Sequence, residues 1–254
     1  MSDLLTHIYL YGSDNYGVLL HDPSNNLTAC IDTGDAAATL NALKERGWSC
    51  SDIWITHHHG DHTAGVAEVK AATGAKVLGP SYSSIGAIDQ SLSDGDQFNF
   101  GDHQIQVIHT PGHTTDMLNF YIPSQEMVFT GDTLFTLGCG RLFESDPETM
   151  WHSLQKLLAL PADTMVYSSH EYTLANAAFA LSVDPENSAL QVRAEEFKRV
   201  RDQHKPTVPS LLADEMATNP FLRPDSDAIR QQLGMLDNSD AEVFGEIRAR
   251  KDAF

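Results

Sequence analysis

Cysteine, basic charge and long apolar runs are scarce in this chain of 254 residues, and each scarcity excludes a class of protein. Three scattered cysteines cannot form a disulfide framework, so a reducing, cytoplasmic location is expected. The chain has 16 basic against 35 acidic residues, and the formal charge of −19 argues against nucleic-acid and anionic-membrane surfaces. No apolar run approaches the ~20 residues of a membrane span, and residues 1–20 lack a signal-peptide pattern. We expect a globular monomer.

The pattern of the chain changes near residues 171–174, which predicts two domains. Before this point, short apolar runs alternate with helical stretches, and after it helical stretches follow one another with prolines between them. Strands are predicted over 27–32, 52–55, 76–78, 104–108, 117–122, 127–130 and 164–168. Helices are predicted over 36–46, 63–72, 147–158, 175–182, 188–203, 225–233 and 239–251. We therefore predict an α/β domain over residues 1–173 and an all-helical domain over residues 174–254.

The strongest signal for function is a cluster of nitrogen and oxygen donors in the segment Thr-His-His-His-Gly-Asp-His, which follows a predicted strand. Because successive side chains of an extended backbone point to opposite sides, His57 and His59 face one way and His58 faces the other. Asp61 and His62 follow in the turn before a helix, where the chain can return them to the same point. The spacing favours a metal site over a solvated polar loop.

Three further donors each follow a strand-like run. His113 lies in Thr-Pro-Gly-His-Thr, Asp132 in Thr-Gly-Asp-Thr, and His170 in Ser-Ser-His-Glu-Tyr. A single histidine after a strand is more often structural, but α/β sheets collect ligands outside their strand ends. Together with the first cluster, these three residues therefore predict one metal centre.

The donor set, five histidines and two aspartates, exceeds what one ion uses and indicates two divalent ions. Nitrogen and oxygen ligands suit zinc, iron and manganese, and the sequence does not choose among these metals. The charge of two divalent ions exceeds the negative charge of Asp61, Asp132 and one hydroxide. The remaining positive charge can polarise a carbonyl group and stabilise a developing oxyanion.

These motifs resemble those of the metallo-β-lactamase superfamily of hydrolases, with a match that covers residues 1–173. Within the superfamily, three shorter motifs resemble glyoxalase II, the hydroxyacylglutathione hydrolases. They are Gly-Cys-Gly-Arg over 138–141, Asn-Pro-Phe-Leu-Arg over 219–223 and the closing residues 248–254. The narrower resemblance extends over essentially the whole chain and implies an αββα sandwich followed by a C-terminal helical domain.

The resemblance also implies a reaction and a role for each donor. Glyoxalase II hydrolyses S-D-lactoylglutathione to D-lactate and glutathione, the second step of methylglyoxal detoxification. One ion would be held by His57, His59 and His113, the other by Asp61, His62 and His170, with Asp132 bridging both. Asp61 would in addition hydrogen-bond the attacking hydroxide. The leaving thiolate, with a thiol pKa of ~8.5, departs without a strong general acid.

The same resemblance assigns glutathione binding to Arg141, Tyr172, Arg248 and Lys251. Phe143 occupies a place where some relatives have tyrosine. Arg248 and Lys251 are three residues apart on a predicted helix and share one face, which suits an anionic substrate. Their simpler interpretation is a basic C-terminal turn that interacts favourably with the helix dipole.

Alternative functions stay open at this point. A persulfide dioxygenase, a relative with one iron, can carry the same Gly-Cys-Gly-Arg loop but would not explain the helical C-terminal domain. A β-lactamase of the thiolate-ligand type has cysteine where this chain has Asp132. A tRNA-processing nuclease is disfavoured by the charge of −19. A non-enzymatic, metal-stabilised interaction module is disfavoured by the complete donor set.

Overall fold

The structure is a computed structural model that describes residues 3–81, 83 and 85–254. The chain folds into two compact units that alternate along the sequence. The first unit contains the chain up to His109 together with Asp116–Gly131, and the second contains Thr110–Thr115 and Asp132–Phe254. The predicted division into residues 1–173 and 174–254 stays a prediction.

The first unit is built on a six-stranded sheet with the order β1-β2-β3-β4-β5-β6. Its strands are β1 (Leu5–Tyr11), β2 (Asn15–Asp22), β3 (Leu27–Ile31), β4 (Asp52–Trp54), β5 (Lys76–Pro80) and β6 (Gln90–Leu92). The first three strands pair antiparallel, whereas β3 to β6 pair parallel. Parallel neighbours need crossover connections. Two of these connections contain the helices α1 (Ala36–Arg46), α2 (Gly60–Thr63) and α3 (Val66–Thr73).

Four antiparallel strands of the same unit form a second layer in the order β10-β9-β8-β7. They are β7 (Gln97–Phe100), β8 (His103–His109), β9 (Leu118–Ile122) and β10 (Met127–Gly131). The ring of Trp54 in β4 lies 5.1, 5.3 and 5.5 Å from the rings of Phe98, Phe100 and Phe120. The neighbouring Ile53 points the opposite way and packs with α1 and α3. This unit therefore has one helical layer and two packed sheets.

The predicted helix over 36–46 is confirmed, and its ends follow capping signals in the sequence. Asp35 precedes the helix, and its side chain accepts a hydrogen bond from the backbone amide of Ala38. Gly47 ends the helix in the left-handed region, with φ of +67°, which suits a residue without a Cβ atom.

The helix predicted over 63–72 is confirmed as α3, but it begins at Val66 rather than at residue 63, because the chain breaks at Gly65 between α2 and α3. The amide of Gly65 donates to the carbonyl of Thr33 at 2.8 Å instead of continuing α2. A Cβ atom at Gly65 would lie 2.5 Å from the amide nitrogen of Ala36, so the close approach of the two segments requires glycine.

The second unit is mostly helical. Its helices are α4 (Pro147–Leu158), α5 (Thr173–Val183), α6 (Ser188–Asp202), α7 (Leu212–Thr218), α8 (Asp227–Leu233) and α9 (Asp240–Ala253). Its strands are β11 (Leu134–Phe135), β12 (Gly138–Cys139), β13 (Met165–Ser168) and β14 (Ser210–Leu211). Trp151 of α4 stacks on Phe244 of α9, and Phe221 contacts both Phe244 and Phe179 of α5. These buried aromatic contacts hold α4, α5 and α9 around one core.

A mixed α/β architecture with a helical C-terminal region confirms the predicted fold class at this level. In the part of the chain that the structure describes, no helix has both the length and the apolar character needed to cross a membrane.

Candidate metal centre

Four of the predicted donors lie close together in the first unit. His57 and His59 lie in the loop that follows β4, and Asp61 and His62 belong to α2. The ring centroid of His57 lies 4.7 Å from that of His59 and 4.1 Å from that of His62. Ligand atoms of the pairs His57–His59, His57–His62 and Asp61–His62 lie within 4.8 Å of one another. The strand end and the short helix thus bring these side chains to one place.

Asp32 fixes the ring orientation of His62. The Nδ1 atom of His62 lies 2.8 Å from Oδ2 of Asp32, and both side chains are buried. Because a carboxylate only accepts hydrogen bonds, Nδ1 of the neutral ring must carry the hydrogen. The lone pair is then on Nε2, which lies 3.5 Å from Oδ2 of Asp61. A carboxylate behind a ligand histidine is a frequent arrangement in metal sites.

The same carboxylate acts on His57 through Thr56. The Thr56 hydroxyl donates to Oδ2 of Asp32 at 2.8 Å, and the Thr56 amide donates to Oδ1 at 2.8 Å. The Thr56 oxygen can therefore only accept from Nδ1 of His57, which lies 3.0 Å away. Asp32 is not among the site residues that the sequence predicts. The available signal was an aspartate at the end of an otherwise apolar predicted strand.

Asp61 is held by the antiparallel strands β1 and β2. The side-chain amide of Asn15 donates to Oδ2 of Asp61 at 3.0 Å, and the Tyr11 hydroxyl donates to its backbone carbonyl at 2.8 Å. A Cβ atom on Gly34 would lie 1.7 Å from that carbonyl oxygen, so only glycine permits this approach. The Asp61 side chain is 48% exposed, which leaves it accessible to a ligand.

The other three donors lie together in the second unit, around Asp132. The Nε2 atoms of His113 and His170 each lie 3.3 Å from Oδ2 of Asp132. The second oxygen, Oδ1, accepts a hydrogen bond from the hydroxyl of Ser169 at 2.6 Å. Nδ1 of His113 donates to the backbone carbonyl of Arg141 at 2.9 Å. One oxygen of Asp132 is thus anchored, and the other faces two imidazole rings.

The hydrogen-bond pattern indicates that these donors fit divalent cations. Nδ1 of His62 and Nδ1 of His113 both donate to oxygen, so each neutral ring has its lone pair on Nε2. Each lone pair faces a carboxylate oxygen, at 3.5 Å for Asp61 and at 3.3 Å for Asp132. Two acceptors repel each other unless a proton or a cation lies between them. Imidazole nitrogen and carboxylate oxygen are ligands of zinc, iron and manganese.

The third histidine of the cluster, His58, has a different partner. Its Nδ1 atom lies 2.9 Å from Oδ1 of Asp116, a buried residue that also accepts a hydrogen bond from Ser83. The His58 side chain is 37% exposed. These contacts give His58 a structural role beside the donors.

Two aromatic residues predicted to contact substrate flank the donors of the second unit. Tyr172 stacks on His170, with centroids 4.8 Å apart and an interplanar angle of 3°. Phe143 meets His113 edge-on at 5.2 Å, and its side chain is exposed. Both rings are accessible, so they can contact a ligand bound beside these histidines.

Two of the basic residues predicted to bind glutathione have different surroundings. Arg141 is exposed, and its Nε atom lies 3.5 Å from Oδ1 of Asp252. Arg248 is buried, and it donates to the carbonyl of Cys139 at 2.9 Å and to Asp252 at 2.8 Å. Its guanidinium also lies over the ring of Phe221 at 5.0 Å. Arg248 therefore stabilises the fold of the second unit in addition to any contact with substrate.

Lys251, the third predicted basic residue, lies near both arginines. Its Nζ atom donates to the carbonyl of Ala175 at 3.0 Å and lies 5.4 Å from the ring centroid of Phe179. Burial lowers the pKa of Lys251, and the positive charges of Arg248 and Arg141 lower it further. The three cations thus form a local positive patch on a chain with a formal charge of −19.

Comparison with known families divides the chain into two matched parts. Residues 13–170 match the metallo-beta-lactamase superfamily, and residues 171–254 match the hydroxyacylglutathione hydrolase C-terminus. The first match contains all seven predicted metal donors, and the second contains Tyr172, Arg248 and Lys251.

Individual proteins show the same similarity. A hydroxyacylglutathione hydrolase from Maricaulis maris is 52% identical over 256 residues, which cover 100% of both chains. The crystal structure of ETHE1 from Myxococcus xanthus is 23% identical with a TM-score of 0.67, covers 98% of this chain and 99% of its own, and shows similarity of fold alone. TTHA1623, solved in a di-iron-bound form, is 28% identical with a TM-score of 0.56 and covers 65% of this chain and 92% of its own.

Proposed function

Because the chain belongs to the hydroxyacylglutathione hydrolases of the metallo-β-lactamase superfamily, we propose that it hydrolyses S-D-lactoylglutathione to glutathione and D-lactate. This membership confirms the predicted thioester hydrolase function and the predicted αββα fold with a helical C-terminal region. The observation that carries the substrate proposal is the full-length identity of 52% with a hydroxyacylglutathione hydrolase. Related S-2-hydroxyacylglutathiones share the thioester and the glutathione part, so they belong to the same substrate class.

The proposed catalytic centre holds two ions. Its ligands are His57, His59 and His113 for one ion, Asp61, His62 and His170 for the other, and Asp132 as the bridge. Chain connectivity supports this assembly, because His113 lies between β8 and β9, and Asp132 directly follows β10. Because β8, β9 and β10 pair antiparallel, the same end of the sheet contains the end of β8, the start of β9 and the end of β10.

When bound, two divalent ions supply an activated water and positive charge for a developing oxyanion. Zinc is the metal that we propose, with iron or manganese as alternatives that suit the same nitrogen and oxygen donors. The di-iron form of the similar TTHA1623 supports a count of two ions.

Asp61 is proposed to orient the nucleophile by accepting a hydrogen bond from the attacking hydroxide. Asn15 supports this role, because its side-chain amide fixes Oδ2 of Asp61 from the β2 side. The leaving group is a thiolate, whose conjugate thiol has a pKa of ~8.5. A leaving group of this acidity departs without a dedicated general acid, and sequence analysis found no such residue.

The glutathione part of the substrate carries carboxylates, and the positive patch of Arg141, Arg248 and Lys251 is proposed to bind them. Tyr172 and Phe143 are proposed to contact the same ligand, since both rings lie beside donor histidines and are accessible. Phenylalanine at position 143 offers a hydrophobic contact but no hydroxyl for a hydrogen bond.

Residues 1–173 are proposed to form the catalytic domain and residues 174–254 the substrate-binding domain. The family matches over 13–170 and 171–254 support this division. A cytoplasmic location is proposed because all three cysteines are free, although the Sγ atoms of Cys30 and Cys50 lie 3.3 Å apart. We also propose a monomer, and size-exclusion chromatography with light scattering tests it.

Metal analysis and thioester hydrolysis on the same preparation test the function. We expect close to two ions per chain, turnover of S-D-lactoylglutathione, and loss of turnover on chelation that added metal reverses. Full activity with one ion would contradict the binuclear centre. One iron per chain with oxygen consumption in place of thioester hydrolysis would favour the persulfide dioxygenase alternative.

A further inference from the structure

A short hairpin in the second unit forms several hydrogen bonds with side chains of the helical region. The hairpin 134–139 comprises β11, a two-residue turn and β12. Each of the five residues 135–139 has one backbone group that hydrogen-bonds to a side chain distant in the sequence. Asn219 Nδ2 donates to the carbonyls of Phe135 (3.2 Å) and Gly138 (3.0 Å), Asn176 Nδ2 donates to that of Thr136 (3.1 Å), and Arg248 donates to that of Cys139 (2.9 Å). The amide of Leu137 donates to Oε2 of Glu215 at 2.8 Å.

The side chains that hold the hairpin are themselves fixed. Glu215 and Asn219 are fully buried, and Asn219 Nδ2 donates to Oε2 of Glu215 at 3.0 Å. Arg193 donates to Oε1 of Glu215 at 2.6 Å and to the hydroxyl of Thr218 at 2.7 Å. The amide of Phe221 donates to Oδ1 of Asn219 at 3.1 Å. At such burial water does not readily replace a lost hydrogen bond, so each member depends on the others.

The turn of the hairpin needs this external support. Leu137 is a buried leucine with φ of +56°, a left-handed conformation that disfavours residues with a Cβ atom. The Glu215 carboxylate binds the Leu137 amide in this conformation. The helical region therefore imposes a backbone shape that the hairpin sequence does not favour by itself.

The hairpin and the two residues that follow it, Gly140 and Arg141, contact the three predicted donors of the second unit. The hairpin begins two residues after Asp132, and a Cβ atom at Gly140 would lie 2.0 Å from the Asp132 carbonyl oxygen. Two residues after the end of the hairpin, the Arg141 carbonyl accepts the hydrogen bond from Nδ1 of His113. The ring of Phe135 meets that of His170 edge-on, with centroids 5.8 Å apart.

We propose that Asn219, Asn176 and Glu215 are positioning residues that raise the metal affinity of the second-unit donors by fixing the hairpin 134–139. The inference rests on the proposed function for the identity of those donors. On this inference the helical region has a second role besides substrate binding. The buried amides of Asn176 and Asn219 and the carboxylate of Glu215 fix the position of Asp132 and the ring orientation of His113. A ligand side chain that is already held in its binding geometry has a smaller free-energy cost of ordering when it binds a metal.

The test uses Asn219→Asp, which keeps the shape of the side chain and removes both hydrogens of its amide. The new carboxylate would face two carbonyl oxygens and Glu215, while its other oxygen can still accept from the Phe221 amide. We expect at least ~10-fold weaker binding of Co²⁺ to the metal-free full-length protein and a changed visible spectrum of the cobalt form. With S-D-lactoylglutathione, kcat should fall while KM changes little, because the glutathione contacts remain.

Asn187→Asp is the matched control. Asn187 also donates through Nδ2 to a carboxylate, that of Asp184, and to a backbone carbonyl, that of Ala217, and it accepts from the amide of Leu190. None of these partners belongs to the hairpin. The control should lose thermal stability but keep the Co²⁺ affinity and spectrum of the unmodified protein.

The outcomes separate this inference from the proposed function. Unchanged Co²⁺ affinity and spectrum in folded Asn219→Asp would overturn the inference. If that variant does not fold, Asn176→Ala provides the test, because it removes only the hydrogen bond to the Thr136 carbonyl. We expect this variant to bind Co²⁺ several-fold more weakly. No change in that variant would then count against the inference. An unmodified protein without turnover would refute the thioester substrate and leave the metal comparison valid.

Discussion

One buried carboxylate, that of Asp32, determines which nitrogen of two histidines carries the lone pair. It accepts directly from His62 and indirectly, through the Thr56 hydroxyl, from His57. Both rings are thereby set with Nε2 available as a metal ligand. A residue that touches no metal can in this way control two ligands at once.

Replacing Asp32 by asparagine should therefore weaken metal binding. The amide has one acceptor oxygen for three donors. Its NH₂ group would oppose either the Thr56 backbone amide or both Nδ1 of His62 and the Thr56 hydroxyl. We expect a ~10- to 100-fold loss of metal affinity, measured by competition with a chromophoric chelator. Asp22→Asn is the control, because Asp22 is also fully buried and binds the backbone amides of Ser24 and Asn25. Equal losses of metal affinity in both variants would contradict a specific role of Asp32.

Asp132→Asn tests the proposed role of Asp132 as the carboxylate that bridges two ions. The substitution keeps the shape but removes the charge that allows one side chain to bind two cations. We expect loss of metal and a fall in turnover of at least ~100-fold, measured as metal content and kcat. Ser169→Ala keeps the carboxylate and removes only the hydrogen bond to Oδ1, so its effect should be smaller. An asparagine variant with full metal content and near-native turnover would assign Asp132 a structural role.

At the residue scale, the sequence predicted what depends on residue type and spacing. The donors of the first cluster lie within six residues, so their proximity follows from local geometry. Asp32 acts on residues 24 and 30 positions away, and only the pairing of β3 with β4 brings them together. A contact of that range has no local signature in one sequence.

At the element scale, a capping signal fixes where some of the predicted helices begin. The helix predicted over 147–158 is confirmed as α4, which begins with Asp146 as its cap and Pro147 in its first turn. α7 was not predicted, and no side-chain hydrogen bond caps its start at Leu211.

Strands β6, β12 and β14 are two or three residues long, so their partners define them rather than any periodic pattern. β2 was not predicted either, because Asn15, Gly17 and His21 interrupt its apolar pattern.

The two basic residues of α9 should respond differently to truncation. Lys251→Ala removes a charge from the positive patch, and a partly exposed charge-assisted hydrogen bond contributes about 1–2 kcal/mol. We expect KM for S-D-lactoylglutathione to rise ~5- to 30-fold, with hydrolysis of a small thioester without glutathione nearly unchanged.

Arg248→Ala should in addition impair the chemistry, because Arg248 binds the Cys139 carbonyl of the hairpin 134–139. We expect lower kcat with both substrates and weaker metal binding, together with the rise in KM. Kinetics of both variants with both thioesters distinguish the two roles. A Lys251→Ala variant that loses activity equally on both thioesters would remove Lys251 from the glutathione site.

At the scale of the whole molecule, the chain passes from one compact unit to the other more than once. It enters the second unit for Thr110–Thr115, returns for Asp116–Gly131, and enters it again at Asp132. The segment Thr110–Thr115 contains His113, and the later segment of the second unit begins with Asp132 itself. The composition of the sequence changes only near residue 171. The segments Thr110–Thr115 and Asp116–Gly131, which alternate between the two units, are too short to alter it. The pattern of metal donors could therefore be predicted from the sequence, whereas the alternation of the chain between the two compact units could not.

A metal centre whose ligands come from residues 57 to 170 should contribute to the stability of the whole chain. Binding that occurs only in the folded state stabilises by about 4 kcal/mol when free metal is 1,000 times its Kd. For a protein of this size, each kcal/mol shifts Tm by about 2–4 °C, so removing the metal should lower Tm by about 10 °C. Differential scanning calorimetry of metal-loaded and chelated samples measures the shift, and Asp132→Asn should show a smaller one. Equal Tm values for samples whose metal contents differ by two ions per chain would contradict metal binding that occurs only in the folded state.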